Sequence, residues 1–184
     1  MPLKNPVLNP NNSLFLSNDM TLKVELMPEG SGEKWDEHSL GQVEGIMVYH
    51  DSSFVNSLGF FCVKDNINLI SEQHGYSVGK CEMIMLDYPT ELLTGLYGFY
   101  DNPSCTHIRC ITFVTNKATY GPFGGQSPRS PEKAFSFQLR GKERNWITGF
   151  YGTIVHNGKL GRLGVYIQKS IIARPLGKLD GDEV

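Results

Sequence analysis

The chain has 184 residues and a formal charge of −2 at pH 7, with 40% apolar and 20% charged residues. This is enough apolar material for one sizeable core, and the composition is not that of a disordered chain. The near-neutral balance, with no clustered basic excess, excludes the usual electrostatic footprint of a nucleic-acid-binding domain, so no nucleic-acid partner is expected. Twenty glycines exceed the usual ~7% and lie scattered, which predicts a turn-rich all-β protein.

In chain order, residues 1–20 hold repeated Pro and Asn breakers and few apolar residues, and are read as a flexible N-terminal arm. They include no apolar core long enough for a signal peptide, and no stretch of the chain approaches a membrane span. The Asn11-Asn12-Ser13 sequon is therefore expected to stay unmodified. The folded domain is expected over residues 21–169, with residues 170–184 as a solvated C-terminal tail. Cys62, Cys81, Cys105 and Cys110 sit in or beside β-like runs, which predicts buried free thiols and a cytoplasmic or nucleocytoplasmic setting.

Within the domain, short runs of Val, Ile, Phe and Tyr alternate with Gly, Asn, Asp and Pro clusters, the pattern of many short strands. Three segments resemble one another: VEGIMVYHDSSFVNSLGFFCV from Val43, LTGLYGFYDNPSCTHIRCITFV from Leu93 and ITGFYGTIVHNGKLGRLGVYI from Ile147. Gly45, Gly95 and Gly149 are spaced by 50 and 54 residues, and Leu58, Ile111 and Leu163 by 53 and 52. Such a period predicts three β-hairpin units around a pseudo-threefold axis, each covering the inner faces of the other two. CEMIMLDY at Cys81 and KAFSFQLR at Lys133 supply further strands, bringing each unit to about four.

Four motifs then carry a family resemblance: GEKWDE from Gly32, FVTNKATYGPFGG from Phe113, ITGFYG from Ile147 and LGVYI from Leu163. In this order, across residues 22–169, they resemble the jacalin-related plant lectins. The resemblance implies an all-β fold, a β-prism of three four-stranded Greek-key sheets with pseudo-threefold symmetry. It also implies a non-enzymatic, metal- and cofactor-free carbohydrate-binding protein, commonly acting in plant defence or stress, with glycans as partners and homo-oligomers possible in the family. Where sugar binding has decayed, the implied alternative is a module that contacts defence-related proteins.

The family holds sugar between a glycine-rich loop and a Gly-x-x-x-Asp loop. Glycine lets backbone N–H groups approach hydroxyls, and an ionised Asp accepts from two vicinal hydroxyls. The first loop maps to Gly30-Ser31-Gly32 and the second to Asn157, Gly158, Lys159, Leu160 and Gly161, so that Asn157 replaces the leading Gly and Gly161 replaces the Asp. A hydrogen bond to a charged group contributes about 1.5–3 kcal/mol. The missing carboxylate therefore predicts weakened sugar binding. A second family cup maps to Ser52 and Asn56, with Ser for Gly and Asn for Asp, and Asn56 also reads simply as a turn residue. Galactose-specific members are cleaved near the first loop, whereas this chain runs unbroken there, which favours a mannose or glucose preference.

Three other signals have plainer readings. GYSVG at Gly75 fits the Gly-x-Ser-x-Gly nucleophile elbow around Ser77, but the alternating run after it predicts a strand where the elbow needs a helix. His38, His50, His74, His107 and His156 are dispersed without zinc-site spacing and are expected in loops or at the surface. Trp35 is expected to pack structurally.

Overall fold

The computed structural model describes residues 20–38, 40–101, 107–125, 132–140 and 145–169. They form strands only: β1 (Met20–Glu25), β2 (Glu33–Glu37), β3 (Gln42–His50), β4 (Val55–Lys64), β5 (Ile67–Ile70), β6 (His74–Gly75), β7 (Lys80–Met85), β8 (Leu93–Tyr100), β9 (Ile108–Thr115), β10 (Thr119–Gly124), β11 (Lys133–Gln138), β12 (Asn145–Ile154) and β13 (Leu160–Lys169). The domain is thus joined by β1 from Met20, one residue before the expected start, while the arm and tail otherwise lie outside the described residues.

Three antiparallel sheets have the orders β1-β13-β12-β2, β5-β4-β3-β7 and β10-β9-β8-β11. In the second and third, three consecutive strands are followed by a fourth that returns beside the first, a Greek key. The first sheet has the same order with the chain break moved: β12 and β13 act as its opening hairpin, and β1 and β2 complete it from the other end of the sequence. The fold is the expected β-prism, with one addition. The second sheet has five strands, because the short β6 also pairs with β4.

The sequence period corresponds to the pairing register. Each central hairpin carries a β-bulge at the same place, between Val43 and Gly45, Leu93 and Gly95, and Ile147 and Gly149. After each bulge the glycine lies under an outer strand: a Cβ on Gly149 would stand 2.4 Å from the Glu37 carbonyl oxygen, and one on Gly95 2.7 Å from that of Phe137. The repeated glycine is therefore a packing requirement of the bulge. Leu58, Ile111 and Leu163 pair with Val48, Gly98 and Gly152, three residues beyond the repeated glycines, and all three are fully buried. Phe60 of the second sheet stacks on Phe150 of the first, ring centroids 4.2 Å apart, where the inner faces meet.

Two histidines lock the seams between sheets, contrary to the loop or surface positions expected of them. His74 is buried in β6, stacks on Trp35 of β2 at 3.9 Å, and places Nε2 2.9 Å from Glu37 Oε1. His50, half-buried at the end of β3, accepts the Gly124 N–H at Nδ1 and so presents Nε2–H to Glu82, 3.0 Å away. Both were misplaced because a sequence period does not reveal which sheet edges abut. Trp35 is buried, as its packing role requires. Cys62 and Cys110 are buried free thiols, whereas Cys81 is exposed, because it lies on an edge strand pointing outward; Cys105 lies outside the described residues.

Candidate functional site

The two mapped sugar loops meet at one end of the first sheet, because β12 carries both. Its last residue, Ile154, pairs with Glu33 of β2 on one side and with Leu160 of β13 on the other. Gly32, just before β2, has φ +125°, and a Cβ there would fall 2.5 Å from the Ile154 carbonyl oxygen. Only glycine fits that approach. Gly30 is half-buried two residues earlier, in the same connection.

Across the strand end, the β12–β13 turn is closed by its backbone. The Val155 N–H donates to the Lys159 carbonyl at 3.0 Å, and the Gly158 N–H to the Val155 carbonyl at 2.7 Å, with Gly158 at φ +73°. Leu160 is fully buried, so its side chain belongs to the core and not to the loop surface. Gly161 lies inside β13, where it brings no acceptor.

The polar groups of this turn are engaged by other loops of the same chain. Asn157 Nδ2 lies 3.0 Å from His107 Nε2, and its Oδ1 accepts the Lys159 N–H at 3.3 Å. Lys159 Nζ stands 3.7 Å from the Phe54 ring centroid, and the Arg109 guanidinium packs on the same ring at 4.4 Å. These are cation–π contacts that join the β3–β4 loop, the start of β9 and the β12–β13 turn at one end of the prism. The Gly158 carbonyl accepts the Tyr76 N–H at 2.8 Å, and the Tyr76 ring covers the glycine. The contacts of Phe54, Tyr76 and His107 with this turn join segments far apart in the chain, and no local motif signals them. Tyr76 stands inside the Gly-x-Ser-x-Gly match and Phe54 inside the Ser52–Asn56 stretch, each singled out for another chemistry.

In the mapped second cup, Ser52 is exposed and Asn56 is buried. Asn56 Nδ2 donates to Asp51 Oδ2 at 3.1 Å and to the Val78 carbonyl at 2.9 Å. Asp51 also accepts the Ser53 and Phe54 N–H groups through Oδ1. Burial alone would raise the Asp51 pKa, but these hydrogen bonds and the charge of Lys159 outweigh it and hold the carboxyl below its usual range. Asn56 is thus the knot of a turn. Ser77 lies in the loop between β6 and β7, followed by a strand where a nucleophile elbow requires a helix.

Residues 24–166 match the family model of the jacalin-like lectin domain. Jacalin-related lectin 2 of Arabidopsis thaliana is 37% identical over 177 residues, covering 88% of this chain and 94% of its own. Protein RESTRICTED TEV MOVEMENT 1 of the same plant is 35% identical over 153 residues, covering 79% of this chain and 82% of its own. Among solved structures, the artocarpin–mannopentose complex is similar at TM-score 0.65 and 22% identity over 84% of this chain and 99% of its own. Malaysian banana lectin is similar at TM-score 0.69 and 20% identity over 82% of this chain and all of its own. These two likenesses speak for the fold. With the family match spanning most of the domain, the chain belongs to the jacalin-like lectin family.

Proposed function

We propose that this lectin-family chain binds neutral glycans of the mannose/glucose type, weakly, through the paired loops at Gly30–Gly32 and Asn157–Gly161. The carrying observation is the convergence of both loops on Ile154, with Gly32 so close to the strand end that no side chain intrudes. Backbone N–H groups and the Asn157 amide supply hydrogen bonds, while Gly161 supplies no carboxylate. That the related artocarpin has been crystallised with mannopentose supports the choice of sugar. A role in plant defence is supported by the relative named for restricted TEV movement. A cytoplasmic or nucleocytoplasmic setting, in which the chain works without metal, cofactor or catalysis, completes the reading; the free thiols Cys62, Cys81 and Cys110 support the compartment.

A second reading is favoured by one observation: Asn157, Gly158 and Lys159 are already engaged by His107, Tyr76 and Phe54. A turn whose groups are spent internally suits a module that contacts defence-related proteins with its sugar site closed. Calorimetric titration with methyl-α-mannoside separates the two. Saturable binding by the natural chain supports the lectin reading; silence from it, with binding by Gly161→Asp, supports the interaction module.

A further inference from the structure

A groove of about 530 Å3 runs along the seam between the first and second sheets, outside both mapped cups. One wall is β2, from Glu33 to Glu37, and the other is the Ile70–His74 segment. It begins where the sugar loops meet, since Ile154 and Glu33 line it and Gly32 rests on Ile154. Its volume falls in the range of small-molecule sites, ~300–1,000 Å3, and exceeds what one pyranose ring fills.

The lining is chemically selective. Glu33, Lys34 and Glu72 are exposed and make no side-chain hydrogen bond or ion pair among the described residues. Gln73 donates its amide nitrogen to Ser57 Oγ at 2.7 Å and turns its buried Oε1 towards Gly59, so its amide belongs to the wall and not to the ligand-facing surface. Ile70, 71% exposed, and half-buried Ile154 offer apolar spots for C–H faces. Behind the wall, the Trp35–His74 stack and the His74–Glu37 pair hold the seam rigid.

From this we infer that the groove extends the sugar cup and takes the further residues of a neutral oligosaccharide. Unengaged carboxylates and an ammonium are groups that exchange hydrogen bonds with hydroxyls. Acid sugars are disfavoured, because Glu33, Asp36, Glu37 and Glu72 outnumber Lys34 along the lining. This inference rests on the proposed cup, which holds the first residue.

Calorimetry of the full chain with methyl-α-mannoside, mannopentaose and a trigalacturonate tests it. Mannopentaose is expected to bind at least tenfold tighter than the monosaccharide, and trigalacturonate no tighter. The doubly substituted Lys34→Ala/Glu72→Ala protein, altered only at exposed positions, is expected to lose most of the tenfold gain. Equal affinity for mannopentaose and monosaccharide, or a gain that survives both substitutions, overturns the groove and leaves the cup standing. Absence of binding by any of the three sugars overturns cup and groove together.

Discussion

Tyr76 covers Gly158: its N–H donates to the glycine carbonyl at 2.8 Å, and a Cβ on Gly158 would fall 2.2 Å from the ring. A loop from the second sheet thereby holds the tip of a hairpin from the first. The contact combines a left-handed residue, φ +73°, with an aromatic neighbour that leaves no room above it. Gly158→Ala is therefore expected to destabilise the protein by about 1–3 kcal/mol, read as a lower urea midpoint with unchanged slope. Tyr76→Ala, at an exposed ring, is expected to cost well under half of that and to open the turn, read as stronger binding of methyl-α-mannoside.

The Phe60–Phe150 stack joins two sheets through fully buried rings. Truncating either residue to alanine is expected to cost about 3–5 kcal/mol, through lost transfer energy and the cavity left behind. In a double-mutant cycle by urea denaturation, the pair is expected to be non-additive by about 0.5–1.5 kcal/mol, because the rings touch.

Glu91 is buried and sits where the β9–β10 turn packs on the loop before β8. Burial would raise its pKa, but the Asp87 N–H, the Thr115 and Tyr120 hydroxyls and the charge of Lys117 prevail, and it stands below the usual carboxylate range. A carboxylate depressed in the folded state stabilises fully above its unfolded pKa of about 4.3, and that contribution disappears as pH falls through the folded value. Stability is thus expected to be flat in this respect above about pH 5 and to decline in acid. In Glu91→Gln the difference in denaturation midpoint between pH 7 and pH 3 is expected to shrink.

Cysteine labelling distinguishes the thiols. Cys81 is exposed, whereas burial, with the nearby Glu37 and Glu44 charges adding, pushes the Cys62 thiol up to about 12, and burial also raises Cys110. The thiolate is the reactive form. Alkylation of the native protein followed by peptide mapping is expected to modify Cys81 quickly and to leave Cys62 and Cys110 untouched until the chain unfolds.

Much of the architecture was legible in the repeat. Gly45, Gly95 and Gly149 marked three equivalent bulges, and Leu58, Ile111 and Leu163 marked three equivalent core positions, because a prism of like sheets repeats its packing constraints at fixed intervals. The edge strands β1, β2, β5, β6 and β10 were not separately legible: they are short, and several carry mostly exposed residues, so they lack a sustained apolar alternation. At the candidate site, the departures at Asn157 and Gly161 were legible through the family resemblance, which implies Gly and Asp there. Their surroundings were not, since His107 lies 50 residues from Asn157 and Tyr76 more than 80 from Gly158.

By itself the sequence determined that the chain forms β-hairpins in three like units and that glycine, not a carboxylate, occupies position 161. Both are properties of residue order and local chemistry. Only the tertiary structure decided that His50 and His74 seal seams, that Asn56 ties a turn, that Phe54 is held between Arg109 and Lys159, and that a groove continues from Gly32 along β2. Those facts arise where sheets distant in sequence abut, and contact across a seam leaves no periodicity in either strand that makes it.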